Sequence, residues 1–376
     1  MNKKELASKL EAKKGFNMDI IMGLDGMVDK IISVVDKRQD PLTFTRIETI
    51  ADFGARISRA AGLSTNVELV VGQTKLGGNG PIMANALLEA GFGLNYVGCL
   101  GKPDIHPVFQ PFVKRSKKAY SICEPGYTNA MEFNDGKIMM GEYAHLAEMT
   151  WDVMKEAMGG AAGVAKLIDE SVLFGMENWT MIPFMSEIWE GIITEVLPLM
   201  KPRDVKPLAF FDIADPEKRT KEDIARAMKL IGKFEEKFRA ILGLNEKELY
   251  QIAEVLGIAV NESDADEVKM QKAVEAVYAE LGIYCLVVHP VRTACCCIGG
   301  EYAFVEGPYC AKPKLTTGAG DNFNAGFVLG QALGMSPIEA LTMGVSTSGF
   351  YVRNARSPVF AELIGFIGKW ADGSVD

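Results

Sequence analysis

Histidine is nearly absent from this chain. Three occur in 376 residues, His106, His145 and His289. None stands in a recognisable motif with a nucleophilic Ser or Cys, which disfavours a triad hydrolase. No run of about 18 apolar residues is present to span a membrane. Met1 to Lys14 is charged and helical in pattern and lacks the apolar core of a signal peptide, so a cytoplasmic protein is expected. Positive charge is in deficit, with 40 Lys and Arg against 49 Asp and Glu and a net charge of −9. That argues against a general binder of nucleic acid or anionic membrane, and neither partner is expected. Seven cysteines include no CxxC pair of the kind that holds zinc. Cys295, Cys296 and Cys297 are consecutive and would alternate faces of a strand, which suits reduced core residues. No Walker sequence occurs. Gly318-Ala319-Gly320 begins a dinucleotide fingerprint, but Phe323 takes the place of its last glycine, and the motif lies near the C-terminus.

What is present is an ordinary globular mix, 48% hydrophobic and 24% charged, on a chain long enough for a large core. Strand-like runs at 19–23, 95–100, 171–175, 207–212 and 284–288 alternate with helical patterns. That implies an α/β fold with a mostly parallel sheet covered on both faces. Helices are expected from about Pro81 to Ala90, from Thr220 along a stripe reaching Ile241, from Ser263 to Leu281, and over 321–333, 336–351 and 359–370. Asn134-Asp135-Gly136 between two short runs signals a hairpin. With the strand-like segment Val28 to Phe44, it suggests a small lid sheet drawn from about 28–44 and 120–142. No repeat or linker marks a boundary, so residues 1–376 are expected to form one domain. Residues 142–175 carry no legible motif.

Four motifs carry chemistry. Leu315-Thr316-Thr317-Gly318-Ala319-Gly320-Asp321 runs into an apolar-periodic helix. Small residues at a helix N-terminus leave backbone N–H groups free to hold an anion, and Asp321 on the first turn is placed to take a proton from a hydroxyl. The alternative is a tight turn with Asp321 as a cap. Gly77-Gly78-Asn79 precedes a helix and permits close backbone approach to a ligand, or is simply a Gly-rich turn. Asn245-Glu246-Lys247-Glu248 offers oxygens suited to Mg²⁺ through its waters, or is a helix cap with an acidic first turn. Asp25 and Asp29 follow the first strand, at the end where open α/β sheets bind ligands, and either suits sugar hydroxyls.

Taken in order, these motifs resemble the ribokinase-like (PfkB) family of carbohydrate kinases, over about Asp19 to Trp370. The resemblance implies a doubly wound core with a β-sheet lid, often used for dimerisation, so a homodimer through the lid is expected. It implies transfer of the γ-phosphate of ATP, usually with Mg²⁺, to a hydroxymethyl group of a small alcohol. Asp321 then looks like the base, and Gly318, Ala319 and Gly320 the anion hole. Thr316, Thr317, Asn245, Glu248 and His289 look like the nucleotide contacts, with Asn245 and Glu248 organising Mg²⁺. Asp29, Gly77, Gly78 and Asn79 resemble substrate contacts. Three positions depart from the pattern. Leu315 replaces an Asp that helps hold a monovalent cation, which argues against K⁺ activation. Ile82 replaces a second Asn, and His289-Pro290 replaces a Gly-containing turn. A nucleoside or vitamin-precursor kinase, an ADP-dependent sugar kinase and a weakly active metabolite binder stay open.

Overall fold

Apolar runs too short for helices, and buried on both sides, become the strands of the main sheet. The structure, a computed structural model, describes residues 2–261 and 263–375; Met1, Glu262 and Asp376 lie outside it. In chain order the strands are β1 (Asp19–Gly23), β2 (Met27–Arg38), β3 (Phe44–Arg46), β4 (Leu69–Gly77), β5 (Gly93–Gly98), β6 (Lys118–Ser121) and β7 (Gly126–Phe133). Then follow β8 (Gly136–Glu142), β9 (Leu173–Met176), β10 (Leu208–Asp212), β11 (Arg239–Leu244), β12 (Cys285–Val288), β13 (Thr293–Ile298) and β14 (Glu301–Glu306). Among the described residues the main sheet has nine strands in the order β14-β13-β12-β11-β10-β9-β1-β5-β6. It is parallel from β12 to β6, with β13 and β14 added antiparallel.

Alternation along each strand divides the core into two layers. Ile21, Phe174, Ala209 and Phe211 face one layer, and Ile20, Met22, Leu208 and Phe210 the other. The helices Asn79–Ala90, Ala319–Ala332, Pro337–Asn354 and Phe360–Ala371 cover the second layer. The helices Lys221–Lys233, Glu246–Val255 and Asp266–Leu281 cover the first. Both faces are covered, as expected. The three consecutive cysteines lie on β13, buried and free, with Cys295 and Cys297 in one layer and Cys296 in the other.

A second, five-stranded sheet forms the lid, with β3, β2, β7 and β8 in order and β4 also pairing β2. The expected lid segments need two corrections. Lys118–Ser121 is not lid; it is the edge strand of the main sheet, beside β5. The lid also takes in β4, whose residues are mostly exposed and so carry little apolar signal.

Two helix expectations also change. The helix after Thr220 stops at Lys233, and Ile241 belongs to β11, whose core run Ala240–Leu244 is buried on both sides. Asn245 therefore follows a strand, the place where parallel sheets bind ligands. The helix expected from Ser263 begins at Asp266, and Val268 is turned outward at 45% exposure.

Candidate active site

The loop Leu315–Gly318 leads into the helix Ala319–Ala332, with Gly318 as its cap at φ +90°. Only glycine adopts that φ without strain, and a Cβ there would also lie 2.8 Å from the Tyr351 hydroxyl. Tyr351 Oη in turn donates to Thr317 O at 2.7 Å, which fixes the loop from the neighbouring helix. Successive loop residues face different cavities. Thr316, Ala319 and Gly320 line a cavity of about 390 Å³ together with Asn245, His289 and Phe323. Leu315 and Thr317 line another of about 620 Å³ with Asp29, Ile82, Lys137 and Tyr351. One loop is thus the partition between two pockets.

Asp321 sits beneath that partition, 7% exposed. Its Oδ1 accepts from Asn79 Nδ2 at 3.1 Å. Burial and then the neighbouring Asp25 charge push its carboxyl up to about 8, so it titrates near neutrality, where a general base is most useful.

The glycine loop is built around Asp25. This carboxyl is fully buried and accepts from Asn79 N at 3.1 Å, Gly80 N at 2.9 Å and Asn178 Nδ2 at 2.7 Å. Gly78 lies at φ +93°, where a Cβ would press to 2.8 Å of Asp25 Oδ2. Asn178 adopts φ +64°, a left-handed backbone that asparagine tolerates better than most residues. A continuous chain therefore runs from Asn178 through Asp25 and Asn79 to Asp321. Asp25, weighed as a sugar ligand from sequence, is instead a brace with no exposed surface. Asp29, on β2, opens onto the larger cavity and packs against Gly77. Burial raises its carboxyl, opposed by Lys75, the Thr128 hydroxyl and Lys137.

Asn245 and Glu248 form a reciprocal capping box. Asn245 Oδ1 accepts from Glu248 N at 2.9 Å and Glu248 Oε2 from Asn245 N at 2.8 Å, while Glu248 Oε1 takes Asp215 N at 2.9 Å. The cap weighed from sequence is present, and it aims a 6% exposed carboxylate toward Asp212. His289 lies against Gly320, 3.0 Å from where a Cβ would stand, with its ring 5.0 Å from Phe323. The surrounding protein pushes it down to about 4, so it is neutral and brings no charge to the pocket.

Sequence reasoning missed Glu177 and Asp212. Both are buried at the carboxyl ends of neighbouring strands, β9 and β10, and that position was the available signal. Both Glu177 carboxyl oxygens lack a hydrogen-bond partner, as does Asn324 Oδ1. Burial, then Asp212, Asp321 and Asp25, hold the Glu177 carboxyl far above its usual range. Orphaned hard oxygens beside Asp212 and Glu248 are the donor set that suits Mg²⁺. Among the described residues no three His, Cys, Asp or Glu side chains form a ready cage for a metal ion.

Comparison with known proteins decides the family. The profile of the prokaryotic ketohexokinases matches residues 4–370. The chain belongs to that family. As a prokaryotic ketohexokinase family member it is a carbohydrate kinase of the ribokinase-like group. A ketohexokinase of Haloferax volcanii is 29% identical over 357 residues, covering 94% of this chain and 92% of that protein. The fold agrees with solved structures. Ribokinase of Thermotoga maritima gives a TM-score of 0.61 at 16% identity, over 93% of this chain and 98% of that one. Arabidopsis thaliana ribokinase, complexed with ribose and ATP, gives 0.63 at 16% identity, over 94% and 99%. No helix among the described residues is long and apolar enough to cross a membrane.

Proposed function

We propose that this chain phosphorylates a hydroxyl of a ketohexose with ATP, in the cytoplasm, and that residues 1–376 act as one domain under its lid. The observation that carries the reading is the shared loop. Asp321 lies under the partition between two cavities, with its carboxyl oriented by Asn79. The smaller, largely apolar cavity takes the nucleotide, with Thr316, Asn245 and His289 on its wall. The larger takes the sugar, held by Asp29 on its wall, with the Gly77–Asn79 loop reaching from Asp29 to Asp321 beside it. Asp321 accepts the proton of the attacking hydroxyl, whose oxygen bonds to the γ-phosphorus as the bond to the ADP oxygen breaks. The N–H groups of Gly318, Ala319 and Gly320, at a helix N-terminus, meet the charge on the transferred group. Glu248 and Asp212 are the carboxyls that would hold Mg²⁺, and its charge would offset that of the phosphates. Leu315 offers no carboxylate, so no K⁺ site is assigned.

The lid also serves self-association in this reading. Leu69 and Val71 on β4 and Met139 and Met140 on β8 are 43–52% exposed, and β8 has an open edge. Light scattering that returns a monomer at all concentrations would remove this assignment. The activity is tested by incubating the protein with a panel of ketoses, aldoses and nucleosides, with ATP and ADP as separate donors, and reading products by phosphorus NMR. A phosphorylated ketohexose from ATP is expected. Preference for a nucleoside or for ADP would redirect the assignment, and no transfer to any alcohol would overturn it.

A further inference from the structure

Lys137 is the second residue of β8, just past the hairpin turn of the lid. Its Nζ donates to Thr317 Oγ1 at 2.6 Å, reaching from the lid to the loop in front of Asp321. We propose that Lys137 is the cation that the lid delivers to phosphoryl transfer: closure sets its ammonium beside the anion loop, and transfer depends on that charge. This rests on reading the loop as the phosphoryl site.

The charge around the loop makes the case. Asp25, Asp29, Glu177, Asp212, Glu248 and Asp321 all carry buried carboxyls in this part of the fold. His289 is neutral, and Arg292 in the nucleotide cavity stacks on the Tyr309 ring at 3.8 Å. Lys75, Lys314 and Arg356 also line the sugar cavity, but it is Lys137 whose ammonium donates to the loop. An incoming triphosphate is strongly anionic, and a helix N-terminus supplies only about half a unit charge. Lys137 supplies a whole one, hydrogen bonded to the loop itself. It also faces the sugar cavity, where with Lys75 it opposes the rise that burial imposes on the Asp29 carboxyl. It therefore stands between the sugar contact and the anion hole.

Both ends of the contact are fixed. On the lid side, Asn134 N donates to Glu48 O at 2.7 Å and Ile50 N to Asp135 Oδ1 at 2.9 Å, pinning the turn next to Lys137. Phe133 stacks on Phe53 with ring centres 5.6 Å apart, in the small core of the lid. On the loop side, Tyr351 holds Thr317 O. A lone exposed lysine contact adds little to stability, so a fixed geometry at both ends points to a role in the reaction.

The test uses the full chain with Lys137→Met and Lys137→Arg, ATP, and the sugar that the wild type phosphorylates best. Lys137→Met is expected to lower kcat by about 10–100-fold, the scale of losing one transition-state donor. Melting temperature should stay at the wild-type value, and any loss of ATP affinity should be smaller than the loss in kcat. More ATP should be hydrolysed per sugar phosphorylated, because an unlatched lid admits water. Lys137→Arg keeps the charge and should recover most of kcat. Ethylammonium should partly restore Lys137→Ala, and neutral propanol should not. Wild-type kcat and hydrolysis ratio in Lys137→Met would overturn the proposal, as would equal losses in Met and Arg variants. A wild type that phosphorylates no sugar would instead sink the functional reading beneath it.

Discussion

The helix that carries Asp321 and the hairpin that carries Lys137 are built on opposite principles. Asp321 through Gln331 are buried without interruption, inside a core layer shared with the helices Asn79–Ala90, Pro337–Asn354 and Phe360–Ala371. Lys137 and its neighbours on β8 are mostly exposed. Behind them the lid has a separate small core of Ile32, Val34, Ile47, Phe53, Met131 and Phe133. Asp321, the proposed base, is thus held where motion is costly, and Lys137 on a sheet with few buried contacts, where local opening is cheaper. A kinase needs both, a carboxylate positioned to a fraction of an ångström and a cover that admits sugar and then excludes water.

Three changes probe that contrast. Asp25→Asn attacks the rigid side. It places an amide donor against the N–H of either Asn79 or Gly80, and should cut kcat by about 10²-fold, the scale of a small misplacement of reacting groups. It also removes the charge that raises the Asp321 carboxyl, so the acid limb of the kcat–pH profile should move to lower pH. A limb that stays in place would separate Asp25 from the base. Phe53→Ala attacks the lid. Truncating a packed Phe costs about 3–5 kcal/mol, which falls on the lid core alone. Hydrogen exchange should rise across β2, β7 and β8 and stay unchanged in β9 to β12, with a smaller loss of kcat than Asp25→Asn gives. Exchange rising equally in both sheets would mean that lid and core melt together. The smallest effect expected is that of changing K⁺ for Na⁺, which should leave the rate alike because Leu315 cannot ligate. Strong stimulation by K⁺ would show that other oxygens build the cation site.

The parallel core was legible in the sequence because its strands are short apolar runs and its helices carry caps and stripes. The run from Thr220 to Ile241 misled because a helix and the following strand share one apolar rhythm. The lid was legible only where a turn spoke for it. Asn134-Asp135-Gly136 announced its hairpin, whereas β4, with one buried residue, was silent until its pairing with β2 was seen. Asp321 and its glycines could be read locally, since a helix N-terminus is a local structure. Asp25, Glu177 and Asp212 could not, because their roles depend on which strand ends the topology sets side by side. Lys137 looked like any surface lysine, and its meaning comes from Thr317, 180 residues away.

Asp321→Asn is the most direct test, measured for phosphoryl transfer from ATP to the preferred sugar and, on the same sample, for ATP affinity. Loss of a general base costs about 10²–10⁴-fold, so turnover should fall on that scale while ATP binds as in the wild type. Wild-type turnover in Asp321→Asn would contradict the claim that this buried carboxyl, beneath the loop between two cavities, takes the proton.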